Sequence, residues 1–203
     1  MDIVDKLTQV FKEFPGIGER QARRFVYFLM SQSGEYTANL MKLVSELKKD
    51  IAQCRECFRF FVDDRHAGNL CPNCSSENTD KTTLLVVEKD TDLESIEKSR
   101  VYGGKYFVLG GLVPIVEKST PSRVRINELV KYLGGHSEVR EVILAFSISP
   151  QGDHTDFYVR GQIQNIIDKQ GIKISSLGRG LSTGTELEYS DNDTIKNALK
   201  NRQ

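Results

Sequence analysis

The segment that decides the fold runs from Cys54 to Cys74, where Cys54-x-x-Cys57 and Cys71-x-x-Cys74 contain all four cysteines of the chain. Two Cys-x-x-Cys turns can point four thiolates at one centre, which is typical of a tetrahedral zinc site. Four thiolates leave no open position for water or substrate. The sequence therefore predicts a structural zinc ion that supplies folding free energy to a small module. Two disulfides or four unrelated thiols are the alternatives, and the regular spacing argues against both.

Basic and aromatic residues surround the cysteines. A zinc ion bound by four thiolates carries a net negative charge, so nearby cations are expected on electrostatic grounds alone. Contact with DNA is the alternative role for these cations. The aromatic residues are expected to pack beneath the zinc ion rather than to stack on bases. His66 is a substitute ligand only if one cysteine is not used. The surrounding residues are Arg55, Arg59, Arg65, Phe58, Phe60 and Phe61.

The composition is that of an ordinary globular chain without overall charge. Of the 203 residues, 38% are hydrophobic and 28% are charged, and the net charge at pH 7 is +0. Whole-chain attraction to nucleic acid is thereby excluded, so a DNA site has to be a local basic patch. No apolar run approaches the roughly 20 residues that span a bilayer, and the acidic N-terminus lacks the form of a signal peptide. Cysteines that serve as metal ligands predict a reducing, cytoplasmic environment.

The first fifty residues have the apolar spacing of helices. The spacing predicts helices over residues 2–13, over residues that include 22–29, and from 37 to about 52. In the third helix, apolar residues at core spacing predict a buried face. These residues are Leu40, Leu43, Val44, Leu47 and Ile51.

The turn Phe14-Pro-Gly-Ile-Gly-Glu-Arg20 between the first two helices resembles a helix-hairpin-helix DNA-binding motif. Gly16 and Gly18 allow the backbone to approach a phosphate closely, and the N–H groups and dipole of the next helix favour its negative charge. Such contacts hold the sugar-phosphate chain without base specificity and are sensitive to salt. The alternative is a helical hairpin with a glycine turn and a solvated basic face. The basic residues available are Lys12, Arg20, Arg23 and Arg24, and Glu13 and Glu19 weaken the positive patch.

From residue 82 onward, apolar strands alternate with helices. The pattern predicts strands at 83–88, 106–109, 142–147 and 173–177, and helices at 91–99, 123–133 and 155–169. Apolar strands with helical crossovers predict an α/β domain with a mostly parallel sheet that is covered on both faces.

Acidic residues follow two of these strands, where parallel sheets collect their ligands. Glu88 and Asp92 follow the first strand, and Asp153 and Asp156 follow the third. Carboxylates gathered from two strand ends are a candidate Mg²⁺ site, and solvated acids at strand ends are the alternative. The layout resembles a Toprim domain.

The chain departs from the Toprim pattern at two positions. Lys89 follows the glutamate where that family has glycine, and Gln151 replaces the first carboxylate of its Asp-x-Asp pair. The loss of one carboxylate is expected to weaken divalent-metal binding.

The order of helical hairpin, four-cysteine module and Toprim-like domain resembles the RecR family of bacterial recombination mediators across essentially the whole chain. Where that family reads Glu-Gly-Glu after the third strand, this chain has Gln151-Gly-Asp153. Further stretches that support the resemblance are Tyr106–Gly111 (YFVLGG), Arg125–Leu129 (RINEL), Leu177–Leu181 (LGRGL) and Leu187–Asp191 (LEYSD).

The resemblance implies the organisation of the chain. It implies a helix-hairpin-helix module at 1–53, a zinc module at 54–80, a Toprim-like domain at 81–177 and a C-terminal segment at 178–203 that serves oligomerisation. It also implies assembly into a ring-shaped tetramer that encircles duplex DNA. The hairpins would line that ring, and the Toprim face with Glu88, Asp92 and Asp153 would contact RecO.

The function that the resemblance implies is non-enzymatic. Members of the family act with RecO, and in many bacteria with RecF, to load a recombinase onto single-stranded DNA at gaps. The expected location is the bacterial cytoplasm, on the nucleoid when DNA is bound.

Two other functions compete with this one. A Mg²⁺-dependent enzyme that cuts or joins DNA would use Glu88, Asp92 and Asp153, but Gln151 argues against it. Tyr158, the tyrosine nearest these acids, is expected to pack on a helix rather than to act as a nucleophile. The other alternative is a zinc-stabilised protein-interaction module that never contacts DNA.

Overall fold

The computed structural model describes residues 1–63, 68–116, 123–181, 184 and 186–201, so Arg65 and His66 lie outside the described residues. The chain divides into two compact units, Met1–Ala52 and Gln53–Gln203. Within the described residues, no helix is both long enough and apolar enough to cross a membrane.

The first unit consists of three helices, which confirms the three predicted. They are α1 (Ile3–Lys12), α2 (Glu19–Ser31) and α3 (Gly34–Asp50). Side chains cap two of them, since Asp2 accepts a hydrogen bond from the backbone of Asp5 and Ser33 accepts one from Tyr36. Phe11 of α1 packs edge-on against Phe25 of α2, with ring centroids 5.8 Å apart.

The expected burial of the apolar face of α3 is wrong for the single chain. Leu43, Val44 and Leu47 are 55%, 62% and 62% exposed. The helical period was predicted correctly, because spacing depends only on the local chain. Periodicity marks a face that can pack, but it does not identify what covers that face. In the single chain these three side chains lie in solvent.

The cysteine segment forms a small module with little regular structure. Its elements are the two paired strands β1 (Ile51–Gln53) and β2 (Phe60–Val62) and the one-turn helix α4 (Pro72–Ser75).

A four-stranded sheet, entirely parallel, forms the centre of the second unit and confirms the predicted α/β architecture. Leu84 and Val86 of the central strand β3 face one core, and Leu85 and Val87 face the other. All four are fully buried, as expected for a strand covered on both faces. The strands β3 (Asp80–Val87), β4 (Gly104–Val108), β5 (Glu141–Ala145) and β6 (Lys173–Ser176) lie in the order β4-β3-β5-β6.

Three helices cover the sheet; the first begins one residue before its predicted start, and the other two begin three and five residues away from theirs. These helices are α5 (Asp90–Ser99), α6 (Ile126–Gly135) and α7 (Pro150–Gln170). Residues 123–125 are not helical, because the backbone N–H of Arg125 donates to the carbonyl of Leu109 instead. Helix α7 begins at 150 rather than 155, because Ser149 caps it and a proline suits its first position.

The C-terminal segment returns to the carboxyl end of the sheet. The backbone N–H of Leu177 donates to the carbonyl of Leu144 at 3.3 Å. The segment then forms a short 3-10 helix (Leu187–Tyr189) and α8 (Asn192–Lys200).

Candidate metal centre and nucleic-acid interface

The four cysteines meet at one point. Their sulfur atoms all lie within 4.8 Å of one another, and none of the four forms a disulfide. The Sγ atoms of Cys57 and Cys71 are 3.5 Å apart. Zinc–sulfur bonds of about 2.3 Å in a tetrahedron place the sulfurs about 3.8 Å apart. The donor set therefore fits a structural zinc ion, as the spacing predicted.

Electrostatics within the cluster favour a bound cation. The pKa of Cys54 is lowered because the three other thiols hydrogen-bond to its sulfur. The same contacts with Cys54 raise the pKa of Cys57 and Cys74. The contact with Cys54 raises the pKa of Cys71, but those with Cys57 and Cys74 lower it, to about 7 overall. Thiolates are thus stabilised at Cys54 and Cys71, whereas four thiolates together would repel one another in a buried site. A divalent cation at the centre removes this conflict, because it attracts all four charges.

The cysteine module is fastened to β4, the edge strand of the large sheet. The backbone N–H of Val108 donates to the carbonyl of Cys57 at 2.8 Å. At the other end of the strand, the side-chain amide of Asn73 donates to the carbonyl of Gly104 at 3.2 Å. The module therefore covers an edge that would otherwise expose unpaired backbone groups.

A buried lysine joins the two parts. Lys105 of β4 is 5% exposed, and its ammonium group donates to the carbonyls of Asn73 at 2.9 Å and Cys74 at 3.1 Å. A buried ammonium group is tolerated only when it is hydrogen-bonded or paired. Lys105 meets this need and also orients the turn that carries the last cysteine.

Two arginines complete the contact between the module and the sheet. Arg59 forms a two-pronged ion pair with Glu97 of α5, at 2.6 and 2.8 Å, which raises the pKa of the arginine. Arg125 donates to the carbonyl of Val108 at 3.0 Å and stacks over the ring of Phe58, 5.2 Å from its centroid. Arg59 and Arg125 thus have structural partners within the chain.

The turn between α1 and α2 leaves its backbone accessible. Gly16 has φ +76, a left-handed conformation that favours glycine, whereas Gly18 is extended and precedes the first turn of α2. A Cβ atom placed on either glycine would meet nothing within 4 Å. The first N–H groups of α2 lack intrahelical acceptors, so this turn offers free donors beside open space.

The basic residues of the turn differ in their partners. Lys12 and Glu19 form an ion pair with 3.4 Å between Nζ and Oε2, and Arg23 and Asp5 form one with 3.4 Å between Nη2 and Oδ1. Arg24 donates to a neighbouring glutamine at 3.4 Å. Arg20, at the start of α2, is exposed and forms no ion pair with any described residue. Among the predicted DNA contacts, Arg20 is therefore the cation with the fewest competing partners.

The three carboxylates predicted for Mg²⁺ lie at the carboxyl end of the sheet but are not gathered into one ligand set. Glu88 follows β3, Asp92 lies in the first turn of α5, and Asp153 in the first turn of α7. In the described parts of the chain, one group of three or more His, Cys, Asp or Glu residues is close enough to hold a metal ion, and it consists of the four cysteines. Asp153 is instead paired with Arg179.

Lys105 and Arg179 are site residues that the sequence did not predict. A signal existed for Lys105, since it is the only charged residue of β4, whose five residues are all buried. Such a lysine must find hydrogen-bond acceptors. No local signal singled out Arg179, because its partner Asp153 lies 26 positions away.

Comparisons with known proteins match two segments of the second unit to protein families. Residues 82–178 match the Toprim domain family, and residues 180–203 match the RecR C-terminal family. The recombination protein RecR of Dehalococcoides mccartyi is 37% identical over 98% of this chain and 93% of its own length. The corresponding protein of Lactobacillus acidophilus is 34% identical over 97% and 94%. That of Oenococcus oeni is 34% identical over 99% and 96%.

The fold and the site together define a Toprim-domain protein with a four-cysteine module on the edge of its sheet. The sequence matches run along nearly the full length of each relative, at 34% to 37% identity. The chain belongs to the RecR family of recombination proteins.

Proposed function

We propose that this protein is a DNA-binding recombination mediator that acts in recombinational repair. It engages DNA without sequence preference and helps to load a recombinase onto single-stranded DNA at gaps, together with RecO and, where present, RecF. The observation that carries the proposal is the open glycine turn before α2. It presents free N–H donors and Arg20 to solvent, with space for a phosphate beside Gly16 and Gly18.

The proposed DNA-binding surface is the face around this turn. Backbone donors at a helix N-terminus bind a phosphate, and side-chain cations add contacts that release counterions. The residues assigned to it are Lys12, Gly16, Gly18, Arg20, Arg23 and Arg24.

Assembly into a ring of subunits would compensate for the weak positive charge of the DNA-binding surface on one chain. The net charge is +0, and two of the basic residues, Lys12 and Arg23, have acidic neighbours. Several weak sites that act together bind far more tightly than one, because linkage raises the effective concentration. The exposed stripe of α3 (Leu43, Val44 and Leu47) supports assembly, because a neighbouring subunit would remove this apolar surface from water.

The remaining segments have supporting roles in this proposal. The hairpin module at 1–53 binds DNA, and zinc stabilises the module at 54–80 beside the Toprim-like domain at 81–177. The C-terminal segment at 178–203 contributes to assembly. The edge with Glu88, Asp92 and Asp153 serves contact with RecO rather than catalysis. The protein works in the cytoplasm, on the nucleoid when DNA is bound.

One gel experiment tests DNA binding and catalysis together. A labelled DNA with a duplex–gap junction is incubated with the zinc-loaded protein and Mg²⁺ over a salt series, and each sample is divided between native and denaturing gels. We expect a salt-sensitive shift with intact strands. New strand lengths would contradict the mediator and support a Mg²⁺-dependent nuclease. If the DNA is neither shifted nor cut, even with RecO present, the DNA-binding assignment is wrong.

A matched pair of variants locates the surface. Arg20→Gln should weaken binding to all sequences and lower the slope of log affinity against log salt by about 1, the effect of one lost phosphate contact. Arg140→Gln, a change at an exposed arginine of the second unit, should leave the slope unchanged. Equal slopes for the two variants would remove Arg20 from the interface.

A further inference from the structure

The carboxyl end of the Toprim sheet raises the question of what balances its negative charge. The fold family implies a divalent cation here, and the residues present do not fit one. Position 151 is a neutral glutamine, and Glu88, Asp92 and Asp153 are not brought within common coordinating distance among the described residues. A hard oxygen-seeking cation needs several carboxylates or carbonyls around one point.

Both carboxylates of the first turns of α7 are already engaged by the chain itself. Asp153 forms an ion pair with Arg179. One oxygen of Asp156 lies 2.5 Å from Nε of Arg160, and the other accepts a hydrogen bond from the hydroxyl of Ser176 at 2.6 Å. These contacts are charge-assisted, and a guanidinium group remains protonated at every physiological pH.

Arg179 also anchors the C-terminal segment. Its backbone carbonyl accepts a hydrogen bond from the side chain of Asn201 at 2.8 Å, so the chain just after β6 is tied to the residue that follows α8. Two residues earlier, the N–H of Leu177 donates to the carbonyl of Leu144. The side chain of Arg179 thus contacts Asp153 at the carboxyl end of the sheet, while its backbone carbonyl binds Asn201 in the C-terminal segment.

We propose that Arg179 takes the place of a divalent cation at the carboxyl end of this Toprim sheet, and that its ion pair with Asp153 fastens the C-terminal segment to α7. A divalent cation could use Asp153 only after Arg179 had left. Cation binding at Asp153 and docking of the segment through Arg179 therefore compete, and each opposes the other by the same coupling free energy. This role is independent of the DNA surface proposed above.

Manganese provides the probe, because Mn²⁺ prefers the same oxygen ligands as Mg²⁺ and its free concentration is measured by electron paramagnetic resonance. The full-length, zinc-loaded protein is titrated as wild type, Arg179→Gln, and the double variant Asp153→Asn/Arg179→Gln. Arg140→Gln controls for loss of a positive charge elsewhere. We expect Arg179→Gln to bind Mn²⁺ about tenfold more tightly than wild type, because a neighbouring cation is removed and a carboxylate is freed. The double variant and the control should behave as wild type.

Two results would overturn the replacement of the metal. One is equal Mn²⁺ affinity of wild type and Arg179→Gln, and the other is a gain that persists after Asp153→Asn. The fastening of the tail is tested by hydrogen–deuterium exchange on the single variant Asp153→Asn, which keeps the side-chain shape. We expect faster exchange at residues 177–181 and in α8. Unchanged exchange there would refute the fastening role, even if Arg179→Gln fails to fold.

Discussion

Two glycines of α7 provide a sharp test of how this edge of the sheet is packed. A Cβ atom on Gly152 would lie 1.9 Å from the carbonyl oxygen of Ser147, whereas one on Gly161 would meet nothing within 4 Å. Carbon and oxygen atoms in close contact normally stay about 3.3 Å apart or more. Alanine at Gly152 therefore has to push the start of α7 away from the end of β5 by more than an ångström.

The two substitutions should change stability in opposite directions. Overpacking typically costs about 1–3 kcal/mol. Alanine in place of glycine inside a helix gains up to about 1 kcal/mol. For Gly152→Ala the clash is with backbone, which yields little, so we expect a net loss of about 2 kcal/mol. For Gly161→Ala only the helix term remains, so we expect a gain of about 0.5–1 kcal/mol.

Thermal unfolding followed by circular dichroism, with zinc present, measures both effects. At roughly 2–4 °C per kcal/mol for a chain of this size, Tm should fall by about 4–8 °C for Gly152→Ala and rise by about 1–4 °C for Gly161→Ala. Both glycines lie in α7, so Gly161→Ala controls for the effect of an added methyl group in this helix. If Gly152→Ala is as stable as wild type, the close packing of α7 against Ser147 is refuted.

Three further predictions concern the metal module and the DNA surface. Cys57→Ser removes one of four thiolate ligands, so zinc content by metal analysis should fall from near one per chain and Tm should fall with it; full retention of zinc would contradict the ligand assignment. Lys105→Met removes the donor to the carbonyls of Asn73 and Cys74, so zinc should be lost to a chelator at about 10–100-fold lower chelator concentration, as for other groups that orient ligands. The exposed Lys131→Met is its control, and equal zinc retention by the two variants would dismiss the role of Lys105. Gly18→Val, whose Cβ atom has space in the free protein, should weaken DNA binding in the native gel by blocking the phosphate; because valine is a poorer N-cap of α2 than glycine, Tm should also fall, by about 1–4 °C. Unaltered affinity would argue against the phosphate site.

Much of the fold was predictable because it depends on short stretches of chain. The helical period and the apolar strands that alternate with the helices each depend on a few neighbouring residues. The cysteine spacing belongs to the same group, since each Cys-x-x-Cys turn positions two sulfurs locally. The beginning of α7 was missed, although Ser149 and Pro150 are a local start signal, because the apolar spacing becomes regular only after that point.

The candidate site was predictable where its chemistry is contained in one segment. The metal ligands lie within 21 consecutive positions, from Cys54 to Cys74, and the structure brings their sulfurs together. The arrangement of Glu88, Asp92 and Asp153 at the carboxyl end of the sheet was not predictable to the same degree. Its carboxylates come from three separate elements, and whether they meet depends on how β3, α5 and α7 are placed in space.

The sequence alone determined the α/β class, the helices of the N-terminal unit and the four-cysteine module, because periodicity and turn residues depend only on neighbouring positions in the chain. Only the tertiary structure decided that Lys105 orients the last cysteine turn and that Arg179 neutralises Asp153. It also decided that the stripe of α3 stays exposed in one chain. These outcomes join positions far apart in the sequence or depend on a partner surface, so they follow from the path of the whole chain and not from any local pattern.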